Sequence, residues 1–461
     1  MIPSLTLRDY QKEDIEFLSN RNTAGCFNEQ RTGKTPTAIC TMVAKGVRRT
    51  LVLCPASAVY PWADEWTRWS KQPAISVVGS PAKQRRLIET WEEGALICSY
   101  DSVKSTLRHE GTLALILSKN PQGIICDEAH RFKTTNTAIA KAVFTTISIP
   151  HRLALTGTPA PGKPEEIYSI LYWLDPERWP SYWNFIKEYF YTYKAKGAQG
   201  QTYLQVLGFK RGKDLELQHY LSQISTQRKR AEVMPWLPEK DRQDIRLPLT
   251  DKQKKYLSEL ENYFETADDT NNVTTMGILD RLIRYRQICL NPQLVGLSGD
   301  SPKVDWILSH LKDYPDTPTI LFTKFTSFIK LLRPLLEKNK IKFGEIIGET
   351  PIAQRAKAVA DFQNGKTNLL LLNIDAGKEA LTLDRGECII FTDQYPPAAD
   401  IQQAEDRFIA TTEARANKPH RIIRLMMKDS YDEQIYKLVE KRAEVIDLIN
   451  DYKYYLKEAK L

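Results

Sequence analysis

Lys34 and Thr35 close the run Asn28-Glu-Gln-Arg-Thr-Gly33-Lys34-Thr35, which follows a short apolar stretch and opens a helical pattern continuing from Ala38 to Val43. At such a strand-to-helix turn the main-chain N–H groups and the helix dipole favour an anion. A lysine adds a point charge, and a hydroxyl can ligate Mg²⁺. Thr32, Gly33, Lys34 and Thr35 are therefore candidate phosphate-binding residues, with Thr35 facing the metal. The strict pattern asks for glycine five residues before Gly33, where this chain has Asn28. Taken alone, Gly33-Lys34-Thr35 fits a plain turn and helix cap equally well.

Ile124-Ile-Cys-Asp127-Glu128-Ala-His130 ends an apolar strand pattern in two adjacent carboxylates. Such a pair divides the work of phosphoanhydride hydrolysis: Asp127 holds the Mg²⁺ shell, partly through water, and Glu128 takes a proton from the attacking water. Two acids at a strand end also fit a solvated terminus. The strand before them and their place downstream of Lys34 select the hydrolase reading.

Groups so placed need strands and crossover helices to hold them. Short β-rich runs at 24–27, 51–54, 95–99, 123–126 and 152–155 alternate with helical patterns in the first third of the chain, the layout of a parallel sheet. Trp62, Trp66 and Trp69 fall on one face of the helical segment 61–70 and read as core. Between about 165 and 300 strands become scarce, and helical patterns at 182–193, 252–264 and 279–289 carry aromatic and basic residues. Alternation returns with strands at 319–322, 342–347, 368–372, 388–392 and 421–426. The end of the chain reads as helices able to dock through Ile435, Leu438 and Val439. The expected organisation is an α/β chain with parallel-sheet lobes at 1–170 and 301–430, a helical insertion at 171–300 and a helical brace at 431–461.

The 461 residues suit about three structural units, with 42% hydrophobic and 26% charged residues, the balance of a soluble globular chain. No apolar run reaches the roughly 18 residues of a membrane span, and the N-terminus carries no secretory pattern, so a cytoplasmic protein with no membrane partner is expected. Seven cysteines without a C-x-x-C read as buried thiols rather than a zinc site or disulfide framework. Lys and Arg number 65 against 57 acids, a net +8 that permits a polyanionic partner without requiring one.

Further motifs narrow the reading. Arg8-Asp-Tyr-Gln11 precedes the phosphate loop. Leu51-Val-Leu-Cys-Pro55-Ala-Ser57 is followed by Trp62, Glu65 and Trp69, and Leu155-Thr156-Gly157-Thr158-Pro159 follows the acidic pair. Arg228-Lys-Arg230-Ala-Glu232-Val233 leads to Leu237-Pro238-Glu-Lys240, and Arg286-Gln287-Ile-Cys289 leads to Pro292. Later come Ile320-Leu-Phe322-Thr323-Lys324-Phe325-Thr326, Gly348-Glu-Thr350 with Gln354-Arg355, Asn373-Ile-Asp-Ala376-Gly377, and Gln402-Gln403-Ala-Glu-Asp406-Arg407. In order and spacing, over 7–430, these resemble the helicase superfamily two ATPases, and within them the Swi/Snf-type double-stranded-DNA translocases.

The resemblance implies two RecA-like lobes that use ATP and Mg²⁺. It makes Gln11 the reader of adenine, Thr156, Thr158 and Gly377 coupling residues, and Gln403 and Arg407 catalytic residues, Arg407 reaching the γ-phosphate. Ser57, Thr323, Lys324 and Arg355 become candidate DNA contacts, each also readable as a solvated loop residue. Lys210, Arg211, Lys213 and the run Arg228 to Arg230 either extend the DNA track or form a wet helix face. Trp173, Trp179 and Trp183 either stack on bases or pack in the core, and core packing is the reading taken. The chain departs from the pattern at Asn28 and Arg31, at Lys378-Glu379-Ala380 where glycines are usual, and at Ala410, where a second arginine is usual.

As a whole the resemblance implies a monomeric motor that hydrolyses ATP while tracking on duplex DNA without sequence preference or strand separation. Its compactness suggests a bacterial or viral setting, with work in repair, recombination or replication and proteins already on DNA as cargo. Two rivals remain open: a nucleotide-switched DNA clamp with weak or no ATPase, and an RNA-stimulated ATPase.

Overall fold

The computed structural model describes residues 6–104, 111–196, 202–234, 240–263, 265–268, 272–274, 278–373, 383, 385–393 and 420–434. The chain divides into two compact units between Met234 and Pro235.

In the first unit the strands are β1 (Thr23–Cys26), β2 (Arg49–Cys54), β3 (Ala74–Ser76), β4 (Gly94–Ser99), β5 (Gly123–Asp127), β6 (His151–Leu155), β7 (Phe190–Lys196), β8 (Thr202–Phe209) and β9 (Ser225–Thr226). All but β7 and β8 form one parallel sheet in the order β3-β4-β2-β5-β6-β1-β9. Its central strands are buried on both faces: Leu51 and Leu53 enter one core, while Val52 and Cys54 enter the other. That is why they read as continuous apolar runs rather than as alternation. Helices α1 (Asp9–Ser19), α2 (Lys34–Ala44) and α3 (Val59–Ser70) precede or link the early strands. The sheet order sets the carboxyl ends of β5, β6 and β1 side by side, the edge where open α/β sheets bind ligands.

The second unit holds β10 (Lys240–Leu247), the small pair β11 (Glu265–Ala267) and β12 (Asn272–Thr274), then β13 (Thr319–Thr323), β14 (Phe343–Ile346), β15 (Leu369–Asn373), β16 (Cys388–Phe391) and β17 (His420–Met427). Its parallel six-stranded sheet runs β10-β17-β16-β13-β15-β14. Every strand expected in the two lobes is present, within two residues at each end. With the flanking helices, the two sheets are the two RecA-like lobes.

The stretch expected to be helical contains helices but is richer in strands than its sequence suggests. The helical pattern at 182–193 stops at Tyr189, and Phe190 starts β7, which pairs with β8 in an antiparallel hairpin. Strand β10 was hidden by its polar sequence, Lys-Asp-Arg-Gln-Asp-Ile-Arg-Leu. As an edge strand it trades apolar packing for cross-strand ion pairs, Asp244 lying opposite Arg424 at 2.8 Å. The proposed brace lies outside the described residues beyond Gln434.

Among the described residues, no helix is long and apolar enough to cross a membrane, and no group of three or more His, Cys, Asp or Glu side chains is gathered as a metal-ion cage. All seven cysteines are free thiols, six of them buried.

Candidate active site

The chain leaves β1 through the loop 28–33 and turns into α2 at Lys34. Arg31 and Gly33 adopt left-handed conformations, with φ of 65° and 81°. The left-handed turn favours glycine at Gly33, and a Cβ there, 2.3 Å from the Gln11 amide nitrogen, would also push that side chain off the loop. Lys34 Nζ donates to the main-chain carbonyls of Asn28 and Glu29 at 2.9 and 3.1 Å. Thr35 follows in the first turn of α2.

Helix α1 braces this loop. Tyr10 donates its hydroxyl to the Thr32 carbonyl at 2.7 Å, and the Gln11 amide donates to the Gly33 carbonyl while accepting from the Arg8 N–H. Gln11 is buried, so the proposed adenine reader lies beneath the phosphate loop. Thr32 is also buried, its hydroxyl donating to the Glu29 carbonyl.

Asn28, the departure from glycine, is fully buried and donates to Asp14 at 2.7 Å. Asp14 in turn accepts from Arg228, whose guanidinium also pairs with Glu13. From the end of β9 onward the main chain pairs with the segment leading into the loop: Phe27 donates to the Thr226 carbonyl and Glu29 to the Arg228 carbonyl. The Glu29 carboxylate accepts the Arg230 N–H at 2.8 Å. Arg228 and Arg230 thus belong to the support of the phosphate loop, a role the sequence reading missed. A buried acid such as Asp14 offers no sequence pattern by which to find it.

Asp127 and Glu128 stand at the carboxyl end of β5. Glu128 takes a left-handed conformation, φ 49°, a placement that needs surrounding support in a residue with a long side chain. The Asp127 carboxylate accepts from the Trp62 indole at 2.8 Å and from the Glu128 N–H at 3.0 Å. Trp62 is therefore more than core: it crosses from α3 to the acidic pair. Burial and, second, the Glu128 charge push the Asp127 carboxyl up to about 6, against the opposing pull of the Trp62 hydrogen bond and the Lys34 charge.

His130 Nδ1 lies 3.3 Å from the Glu128 carboxylate and 3.0 Å from the Thr156 hydroxyl, which accepts the Thr158 N–H at 3.1 Å. Thr156 also donates its own N–H to the Cys26 carbonyl at the end of β1. A Cβ on Gly157 would touch the Asn28 carbonyl and the Gln30 nitrogen at 3.4 Å. One chain of contacts thus joins the acidic pair, the segment after β6 and the phosphate loop, with His130 as its hinge.

Because Asp127 binds its proton more tightly in the folded protein than in the unfolded chain, the folded state holds the extra proton between about pH 4 and about pH 6. Stability should therefore fall as pH rises across that window, by at most about 1.4 kcal/mol per pH unit. In metal-free buffer the Asp127→Asn variant should lack this component, seen as the difference between the two proteins' unfolding curves at pH 4.5, 5.5 and 6.5. Parallel pH dependence in both would remove the upward shift.

In the second unit Lys324 follows β13. Its N–H donates to Asp393 at 3.0 Å, its carbonyl accepts from Asn373, and the Thr323 hydroxyl, fully buried, also donates to Asp393. Arg286 donates to the other Asp393 oxygen at 2.6 Å and lies over the Phe325 ring. Thr323 and Arg286 thus fix the Lys324 loop from beneath. Arg355 folds onto the carbonyls of Thr350 and Gly348 at 2.7 and 2.9 Å, shaping that turn. Back in the first unit, Ser57 is exposed just after β2. Trp173 and Trp179 are buried, whereas Trp183 is exposed. Gly377, Gln403, Arg407, Ala410 and Arg415 lie outside the described residues.

Residues 10–294 match the SNF2-related domain family, and residues 302–409 match the helicase conserved C-terminal domain. The chain is 26% identical over 423 residues to the DNA annealing helicase and endonuclease ZRANB3 of Homo sapiens, a match covering 87% of this chain and 36% of that protein. It is 27% identical over 432 residues to the probable ATP-dependent DNA helicase CHR12 of Arabidopsis thaliana, covering 87% and 38%. The chain therefore spans little more than a third of the length of these relatives. The Sulfolobus solfataricus SWI2/SNF2 ATPase core solved in complex with dsDNA is 22% identical, with 98% of this chain and 95% of that chain covered and a TM-score of 0.42. With well over half of its length matched by the first of these families and the helicase domain following directly, this chain belongs to the SNF2-related family.

Proposed function

We propose that the chain hydrolyses ATP to ADP and phosphate and uses the cycle to track along duplex DNA. The observation that carries this reading is the convergence of Lys34, Asp127, Glu128, His130 and Thr156 at three neighbouring strand ends of one lobe. The loop amides and Lys34 bind the phosphates, and Gln11 keeps the loop in register with α1 while serving as the candidate adenine contact. The Glu128 carboxylate takes the proton of the attacking water, and His130 holds that carboxylate while sensing Thr156. Mg²⁺ fits the donor set, because a buried Asp127 pushed above its ordinary range gains from a cation beside it. Thr35 and Asp127 would hold it. When bound, it neutralises charge on the β- and γ-phosphates.

Ser57, Lys324 and Arg355 are the proposed DNA contacts, with Thr323 supporting the Lys324 loop. The names of the relatives support DNA as the substrate. Action as a monomer in the cytoplasm, on protein cargo, in repair, recombination or replication belongs to the same proposal. ATPase rates measured with no nucleic acid, duplex DNA, single-stranded DNA and RNA test it: duplex DNA should stimulate most. Equal stimulation by RNA would favour the RNA reading, and no stimulation by any of them the clamp.

Binding to duplex DNA should weaken steeply with salt and show no sequence preference. Each phosphate neutralised releases counterions, giving a slope of about −0.9 in log affinity against log salt per contact. Fluorescence anisotropy across a salt series reads the slope, and Lys324→Ala should lower its magnitude by about one contact. A slope unchanged by Lys324→Ala would remove that residue from the track.

A further inference from the structure

We propose that the β7–β8 hairpin is a second nucleic-acid site, one that takes unpaired bases; the inference rests on the reading of the chain as a DNA-binding motor. The root of the hairpin is fixed. Phe190 and Phe209 pair at its base with ring centroids 4.6 Å apart, Phe190 is buried, and Lys210 donates its N–H to the Tyr189 carbonyl at 2.8 Å. Tyr189 itself packs on Trp179 and Phe185 in an aromatic cluster.

Beyond that root the described side chains of both strands include large ones that face solvent. Tyr191 is 55% exposed, Tyr193 61% and Leu207 64%. The ladder skips Leu207 on β8, so the irregularity lies on that strand and β7 keeps its alternation. In a strand, residues two apart share a face, about 6.6 Å from one another. Tyr191 and Tyr193 therefore present two rings on one side of β7 at nearly twice the base-stacking distance of about 3.4 Å. Along the ribbon's sequence the charge is of one sign: positions 190–212 carry Lys194, Lys196, Lys210 and Arg211 and no acid at all. Lys213, next in sequence, is already matched by Glu188 and Glu216.

Solvent-facing aromatic rings among cations, without acids, suit a polyanion that offers flat apolar faces. Single-stranded nucleic acid does so; a paired duplex hides its base faces in the stack. The occupant proposed is the unpaired strand of a fork, gap or junction. The hairpin would then sense unpaired DNA while the motor surface holds duplex.

The test compares the full chain with its Tyr191→Ala/Tyr193→Ala and Tyr191→Phe/Tyr193→Phe variants, all confirmed folded by unchanged melting. Anisotropy is read on a blunt duplex, a fork with unpaired arms and a single-stranded oligonucleotide. Stacking is worth roughly 5- to 150-fold per base, so the alanine variant should lose about tenfold or more on the fork and the single strand. It should keep its duplex affinity and duplex-stimulated ATPase, and the phenylalanine variant should keep all three affinities. Equal losses on all three DNAs, or no loss on any, would overturn the proposal, and the latter would leave the exposed rings to a protein partner. Failure of the wild-type chain to bind or respond to duplex DNA would instead strike the motor reading, whatever the hairpin variants do.

Discussion

Lys34→Ala should abolish ATP turnover and weaken nucleotide binding, whereas Glu128→Gln should abolish turnover and leave both nucleotide and duplex DNA bound. The two outcomes differ because the two groups act at different moments. On the proposed mechanism Lys34 supplies positive charge to bound phosphate before and during reaction, and its ammonium also ties the loop through the Asn28 and Glu29 carbonyls. Removing it costs ground-state binding as well as rate. As the proposed general base Glu128 acts only when water is deprotonated, so its loss should be one of rate, roughly 10² to 10⁴ for a positioned general base. Glutamine keeps the side-chain length and can still accept from His130, so the contact that joins the acidic pair to Thr156 survives. Steady-state ATPase assays paired with nucleotide-binding titrations separate the effects. Wild-type turnover in the Glu128→Gln protein would move the base elsewhere, and intact nucleotide affinity in Lys34→Ala would take Lys34 away from the phosphates.

These residues were legible because the chemistry fixes both residue type and place: a phosphate loop needs glycine, lysine and a hydroxyl at a helix start, and an acidic pair must cap an apolar strand. The sheets were legible for a related reason, since strands buried on both faces, such as Leu51-Val-Leu-Cys54, cannot carry polar residues. What the sequence hid is support. Asp14, Asn28 and Arg228 meet through folding from positions far apart in the chain, and only their burial and mutual bonds give them a role. Trp62 kept the helical spacing of a core residue while its indole N–H reached Asp127. Strand β10 escaped because an edge strand stabilised by ion pairs has no apolar period. The hairpin escaped because Phe190 continues an aromatic spacing that suits a helix, and only its pairing with Phe209 makes it a strand.

The other large effect is expected at the final motif, where Arg407→Ala abolishes DNA-stimulated hydrolysis. A phosphoryl-transfer transition state carries charge on the γ-oxygens, and an arginine delivered to it is worth roughly 10³ to 10⁵ in rate. Arg407 is the candidate donor, and the position three residues later, where the family resemblance implies a second arginine, is Ala410. With one guanidinium in place of two, the proposed motor would either work with less transition-state charge or draw a second cation from elsewhere; the nearest in sequence is Arg415. Ala410→Arg should therefore leave stimulated turnover unchanged or raise it, and Arg415→Ala decides between the two arrangements. A large loss of turnover in Arg415→Ala, with nucleotide affinity unchanged, would make Arg415 the second donor, and full activity would mean that Arg407 suffices. Measured against a wild-type chain that hydrolyses ATP only in the presence of duplex DNA, these outcomes describe how a motor is completed. A wild-type chain that binds ATP and DNA without stimulated turnover, and gains it on Ala410→Arg, would instead be a clamp that lacks one charge of being a motor.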